Sequence, residues 1–445
     1  MKHKLEDPSC HAVRLAIRTT FVLLPAVLLL VAANTAWTKQ PAAPQKNQVL
    51  LVPSSRQPLY LSLEMPDNVA SGATDRWQLV EEGPEKLTVP VLIARDNTSE
   101  ATADHQHHAP RLLATIPAGG TDAVARRFRL VAAAADKPSS SLPGFHFVAV
   151  DKRSLSLLEG ESPRLVYNHG TIVDPRVPKQ DSRRQRSCYM HPVWGVHGEV
   201  LTDDFPQDHY HHHGLFWTWP HVKIGDKSYS LWTDQGIAQQ FVRWLQRDAG
   251  PAGARLGVEN HWVVDGQPVM VERVWVEVYP GQRDSLAMDL HFTWIPVGRP
   301  ITLQGAAGKS YGGLTMRFAV RDPGKVTITT PSGVSPDDLP DTRLPWADLT
   351  TTFEGQSTPS GAAIFVPPDH PDFPPTWLLR HYGPLCVGWP GVRAKTFPAG
   401  QPFHLSYRVW IHDGQPTAGQ IEQAYQAYTK GLTAKWLSSQ AQTAD

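Results

Sequence analysis

Three long stretches alternate between apolar and polar residues. They are Val271-Glu-Arg-Val-Trp-Val-Glu-Val-Tyr279, Leu286-Ala-Met-Asp-Leu-His-Phe-Thr-Trp294 and Phe403-His-Leu-Ser-Tyr-Arg-Val-Trp-Ile-His412. A period of two sends successive side chains to opposite faces of a strand. In the third stretch Phe403, Leu405, Tyr407, Val409 and Ile411 share one face, and His404, Ser406, Arg408, Trp410 and His412 share the other. A polar face that also carries Trp and His suits the floor of a sugar-binding groove, and equally an ordinary outer sheet face.

Shorter apolar runs come earlier: Val49-Leu-Leu-Val52, Leu59-Tyr-Leu-Ser-Leu63, Val89-Pro-Val-Leu-Ile-Ala94 and Arg127-Phe-Arg-Leu-Val131. Turn residues separate them, so residues 48–150 are expected to form a small β-sandwich. Residues 151–435 are expected to form a large antiparallel, supersandwich-like β-sandwich, of the kind common in sugar epimerases and glycan-processing enzymes. One helix closes the chain: Ile421, Ala424, Tyr425, Tyr428 and Leu432 recur at helical spacing. The fold class expected is therefore all-β, with a C-terminal helix.

The N-terminus follows another pattern. Lys2, Lys4, Arg14 and Arg18 precede an apolar run over 21–33, and small residues follow it. Residues 1–37 read as a signal peptide or an uncleaved signal anchor, and 38–47 as a polar linker. A secreted or periplasmic protein is expected.

Composition narrows the function classes. With 42 basic and 42 acidic residues the net charge is zero, so no broad basic surface exists to hold a nucleic acid. The 40 prolines and 33 glycines favour many short elements and turns. The 15 tryptophans suit sugar stacking, although large sandwich cores also use them. Once Cys10 is removed with the signal, only Cys188 and Cys386 remain, and buried free thiols are expected rather than a disulfide scaffold. No P-loop, dinucleotide fingerprint or nucleophile elbow occurs in a fitting context.

Four segments carry candidate chemistry. They are Arg186-Ser-Cys-Tyr-Met-His-Pro-Val-Trp194, Asp208-His-Tyr-His-His-His-Gly-Leu-Phe-Trp217, Gly312-Gly-Leu-Thr-Met-Arg-Phe318 and Pro374-Pro-Thr-Trp-Leu-Leu-Arg-His-Tyr-Gly383. The second packs four histidines into five positions. If its strand begins early, His209, His211 and His213 point one way and His212 the other. Two such imidazoles, His209 and His211, could hold a divalent metal such as zinc, copper or iron. The same histidines without metal could bind sugar hydroxyls or move protons, or simply form a polar loop.

The four motifs in this order resemble the PmoA-like family of secreted bacterial proteins of unassigned function, over roughly residues 160–415. His213 departs from the pattern, where the resemblance implies Arg or Lys before the glycine. The oxygenase in the family label is not carried over, because a membrane-embedded oxygenase needs several spans and this chain has one apolar segment.

Catalytic candidates are Glu272, His191 and His212. Glu272 shares its strand face with Val274, Val276 and Val278. A carboxylate on an apolar face is costly unless paired, and acid–base work is one use for it. Substrate-binding candidates are Arg380, His381, Arg317 and Trp217; an arginine holds a carboxylate or hydroxyl pair in a fixed fork. The leading expectation is a carbohydrate-active enzyme performing hydrolysis, elimination or epimerisation. The alternatives are a non-catalytic glycan-binding protein and a soluble copper or iron redox protein. The expected partner is a carbohydrate.

Overall fold

The computed structural model describes residues 48–66, 77–83, 86–95, 110–119, 124–133 and 144–437. The signal segment, the linker and the His-rich stretch 104–108 lie outside the described residues.

Two nine-stranded antiparallel sheets face each other. The first runs in the order Leu339–Arg343, Thr376–Leu379, Pro384–Gly388, Gly313–Arg317, Leu215–Thr218, Tyr189–Val193, Ser162–Asn168, Ser154–Glu159 and Phe145–Ala149. The second contains the three long alternating stretches as neighbours: Gln267–Val278, Ser285–Pro296 and Phe403–Asp413. Hairpins join its first four strands. The turn Asp265-Gly266, with φ of 49° and 75°, supplies the double left-handed geometry of a tight two-residue connection.

The inner faces of both sheets make one core. Trp217 of the first sheet meets Phe292 of the second at 4.9 Å, and Trp219 packs on Trp262 and Trp294, each at 5.4 Å. Trp217, Trp219, Trp262, Trp294, Trp377 and Trp389 belong to this core, and Trp275 and Trp346 are fully enclosed outside it. Burying each large aromatic contributes roughly 2–3 kcal/mol, which is why cores of this size use them.

Residues 49–132 build a five-stranded and a three-stranded sheet around their own core of Leu50, Leu61, Leu79, Leu112 and Phe128. The strand Lys435–Trp436 completes the five-stranded sheet by pairing with Val49–Val52. The helix Ala418–Gly431 lies between the small sandwich and the second large sheet, against Leu59–Glu64 and Ser360–Phe365. Thr417 and Gln420 form its capping box, and Ile421, Tyr425 and Tyr428 are buried against Trp346, Ala363 and Phe365. Leu432, expected on the same apolar stripe, is exposed.

The polar face of Phe403–Asp413 does not form a groove floor. It is covered by the small sandwich and the helix. Arg408 pairs with Asp289 at 2.6 Å through two nitrogens and donates to Tyr60 O, while His412 meets Asp348 at 2.8 Å. Its polar groups are satisfied by partners within the protein, as burial requires. In the same layer Glu277, Asp289 and His291 bring ligand atoms within 4.8 Å of one another and could hold a metal ion. Three guanidinium groups already supply positive charge there: Arg255 and Arg111 at Glu277, and Arg408 at Asp289.

Candidate functional site

The four motif segments are far apart in sequence but contribute adjacent or near-adjacent strands of the first sheet. Glycines make the close approach possible. A Cβ on Gly214 would lie 2.2 Å from Met190 O, and one on Gly313 would lie 2.5 Å from Val387 O; both glycines have positive φ.

On the outer face of this sheet, away from the sandwich core, Phe216, Thr315, Cys386 and Leu378 stand in cross-strand register. The last three floor a cavity of about 200 Å³. Its walls come from loops: His209, His211 and His212, then Trp232, Lys309 and Tyr311, and finally Arg380 and Tyr382. Among the described residues no Asp or Glu lines it.

The histidine segment is not a strand. His209 N–H donates to Pro206 O and His212 N–H to His209 O, so two successive turns carry the chain. Pro206 holds the first position of the first turn, where its carbonyl closes it. The expected i, i+2 pairing on one strand face is therefore replaced by an i, i+3 stack. His212 lies on His209 at 4.7 Å and His209 on Tyr382 at 5.0 Å, both within 6° of parallel. His211 stands edge-on to His212 at 4.7 Å. Nδ1 of His209 and Nδ1 of His211 are both buried and without a hydrogen-bond partner. Asp208 Oδ2 lies 2.9 Å from His209 Nδ1 but off the hydrogen-bonding direction.

Burial, reinforced by neighbouring positive groups, pushes the His211 imidazole down to about 3. The same causes hold His212 well below the ordinary histidine range. Both rings are neutral near pH 7 and can accept hydrogen bonds or bind a cation. They do not form a tight ligand group, however. Among the described residues, only Glu277, Asp289 and His291 bring three ligand atoms within 4.8 Å.

Arg317 sits beneath the stack. It donates to both Asp208 oxygens at 3.0 Å and reaches His212 Nδ1 at 3.5 Å, with its guanidinium 4.9 Å from the Tyr382 ring centre. A guanidinium only donates, so His212 Nδ1 accepts and its proton sits on Nε2. Arg317 lines not this pocket but an adjoining open shelf of about 450 Å³, which shares Tyr382 with it. It is a positioning residue for the histidine loop.

Other expected site residues are placed elsewhere. Glu272 is fully buried on the inner face of the second sheet, so the first sheet separates it from the pocket. Its oxygens accept from Gln239, Asn260, Trp262 and Trp294. Gln239 in turn accepts from Arg186, which pairs with Asp234. This is a satisfied core carboxylate and does not reach water at a strand end. Trp217 also faces the core; the one-residue alternation of its strand gives the outer face to Phe216. His191 pairs through Nδ1 with Thr202 at 3.0 Å and does not line the pocket. His381 is held with Arg380 by Asp338: its own N–H and ring Nδ1 lie 2.8 Å from Oδ1, and Arg380 Nη1 donates to Oδ2 at 3.3 Å. Only Arg380 of that pair enters the pocket.

His213, the departure from the motif, turns inward. Its Nδ1 lies 2.9 Å from Asp204 Oδ1, while Tyr189 OH donates to Asp204 Oδ2 at 2.7 Å. Burial raises Asp204 to about 6 and depresses His213, so this pair is not a strong charge–charge contact. The basic run around Arg183 is likewise absorbed locally, with Arg183 on Asp181 and Arg184 on Val177 O. Cys188 and Cys386 are buried free thiols.

Trp232, Lys309 and Tyr311 carry no pattern that marks them in the sequence. Tyr382 lies within the fourth motif, two residues after Arg380.

An antiparallel double sheet with a histidine-lined pocket on its outer face is the class of protein defined here. The model of a family of unknown function, DUF6807, matches residues 154–426, which include every pocket residue. The chain belongs to that family. No curated protein matches it.

Proposed function

We propose that this is a secreted carbohydrate-active enzyme, and that the finer PmoA-like label suits its motif order. The observation that carries the reading is the convergence of three imidazoles, one arginine and the aromatic rings of Trp232, Tyr311 and Tyr382 in one cavity. Aromatic faces bind the apolar faces of sugar rings, and imidazoles and guanidinium groups bind hydroxyls. The Nδ1 atom of His211, buried and without a hydrogen-bond partner, is the acceptor or donor that a substrate hydroxyl would satisfy.

Acid–base work falls to the pocket histidines, not to Glu272. Hydrolysis by paired carboxylates needs two acids across the scissile bond, and none lines this pocket. Elimination and epimerisation, which begin with removal of a ring proton, suit a neutral imidazole better. His209 and His211 are the residues that would hold a divalent metal, which would supply Lewis acidity toward a sugar oxygen.

The test is product analysis by mass spectrometry after incubating the protein with a panel of plant and bacterial glycans, beside His211→Ala and His212→Gln variants. New products formed by the wild type and lost in both folded variants are expected. Binding without any turnover would leave a glycan-binding protein. Neither binding nor turnover would end the carbohydrate reading. Elemental analysis of the untagged protein beside a His209→Ala/His211→Ala variant decides the metal; no stoichiometric zinc, copper or iron would remove it and the redox alternative together.

A further inference from the structure

The charges around the pocket are unbalanced. Of the 12 residues that line it, Lys309 and Arg380 are cationic and none is acidic. The acids nearest in the network are already engaged. Asp338 holds Arg380 and His381 from behind, Asp208 faces Arg317, and Asp181 is held by Arg183. Lys309 projects from the turn closed by Ser310 N–H donating to Ala306 O. It is exposed and forms no ion pair among the described residues. Arg380 spends one nitrogen on Asp338 at 3.3 Å, which fixes the guanidinium and leaves other N–H groups for a ligand.

Two cations at the mouth of an aromatic pocket favour a negatively charged ligand. A neutral sugar would leave Lys309 without a counter-charge, and Arg380 with Asp338 alone, as water is displaced. An inorganic anion would use the cations but make no use of the Trp232 and Tyr311 rings that line the same pocket. We infer that the unit entering this pocket is an acidic sugar of the uronate class, its ring carboxylate paired with Lys309 and Arg380. This rests on the carbohydrate reading above and narrows it to one substrate class. It also fits the chemistry proposed there. Neutralising the carboxylate acidifies the adjacent ring C–H, whose proton both elimination and epimerisation remove.

The test is titration by NMR or calorimetry with three matched pairs: glucuronate and glucose, galacturonate and galactose, mannuronate and mannose. Each pair differs only at C6. The full chain is compared with Lys309→Ala and Lys309→Glu, with inorganic sulfate as an anion control. Lys309 is exposed on a turn, so both variants are expected to fold. At least one uronate is expected to bind about tenfold tighter than its neutral partner, a difference of about 1.4 kcal/mol. That preference should shrink in Lys309→Ala and be lost in Lys309→Glu, and it should weaken with salt. Neutral sugars binding as well as uronates would overturn the inference and leave the carbohydrate reading standing. A uronate preference unchanged in Lys309→Glu would overturn it as well. Sulfate binding with no sugar binding, or no binding by any ligand, would overturn both.

Discussion

Replacing Glu272 by glutamine separates a structural carboxylate from a reacting one. Oε1 accepts from Gln239 at 3.1 Å and Asn260 at 2.9 Å. Oε2 accepts from Gln239 at 2.9 Å, Trp262 at 2.8 Å and Trp294 at 2.9 Å. Glutamine keeps the shape but turns one acceptor into an N–H2 group. If that group takes the Oε2 position, it faces two indole N–H donors. If it takes the Oε1 position, it faces the Asn260 amide, which must rotate so that its partnerless Oδ1 can accept. In either case the surviving bonds lose the strength that an ionised acceptor gives. A hydrogen bond to a charged group contributes about 1.5–3 kcal/mol, against about 1 for a neutral one, and an unmet buried donor costs about 1–3. The expected loss is therefore about 2–4 kcal/mol, seen as a fall in melting temperature of about 3–6 °C for a unit of this size. Thermal and urea unfolding measure it, and turnover per folded molecule is expected to survive. A variant with unchanged unfolding midpoints but no turnover would refute the reasoning and return Glu272 to the reaction.

Three further outcomes follow from the site. Arg317→Met should free Asp208 and His212 and lower kcat by about tenfold or more, with little change in KM or melting temperature; a change in KM alone would make Arg317 a substrate contact. Trp217→Ala should cost about 3–5 kcal/mol of stability and leave ligand affinity intact, whereas Tyr382→Ala should do the reverse; equal effects on both readouts would contradict the assignment of the two faces. Acid should weaken the fold, because His212 and His213 are held neutral when folded and each takes up a proton on unfolding below about pH 6.5, a slope of about 2.7 kcal/mol per pH unit for the two. Asp204, raised to about 6, works in the opposite direction: between roughly pH 4 and 6 it is protonated when folded and ionised when unfolded, so its contribution grows as pH falls. Asp204→Asn should therefore make acid unfolding steeper; a shallower profile in urea midpoints against pH would reverse that sign.

The alternation of Phe403–Ile411 was enough to place an inner and an outer face, and the apolar set does meet the core. Alternation does not say what covers the other face, so Arg408 and His412 looked like a groove floor when they are an internal layer. The same limit applies to Glu272: the period of two puts it among valines, but its partners lie on three other strands, up to 33 residues away. Phe216 and Trp217 differ by one step of the pleat, and the larger ring drew attention although the smaller one borders the site. The histidines were conspicuous, yet their geometry depends on two turns begun by Pro206, which a strand reading cannot supply. Trp232, Tyr311 and Lys309 reach the pocket only through loop paths, and no spacing rule encodes those.

The pairing of Lys435–Trp436 with Val49–Val52 closes the chain on itself. During synthesis the first strand emerges with one edge unmatched, and it stays so until nearly four hundred further residues have followed. The closure also sets a rule for engineering. A tag or partner fused after residue 437 emerges beside one fused before residue 48, on the small sandwich and on the opposite side of the second large sheet from the pocket. An attachment at residue 48 or 437 therefore leaves the histidine-lined mouth open.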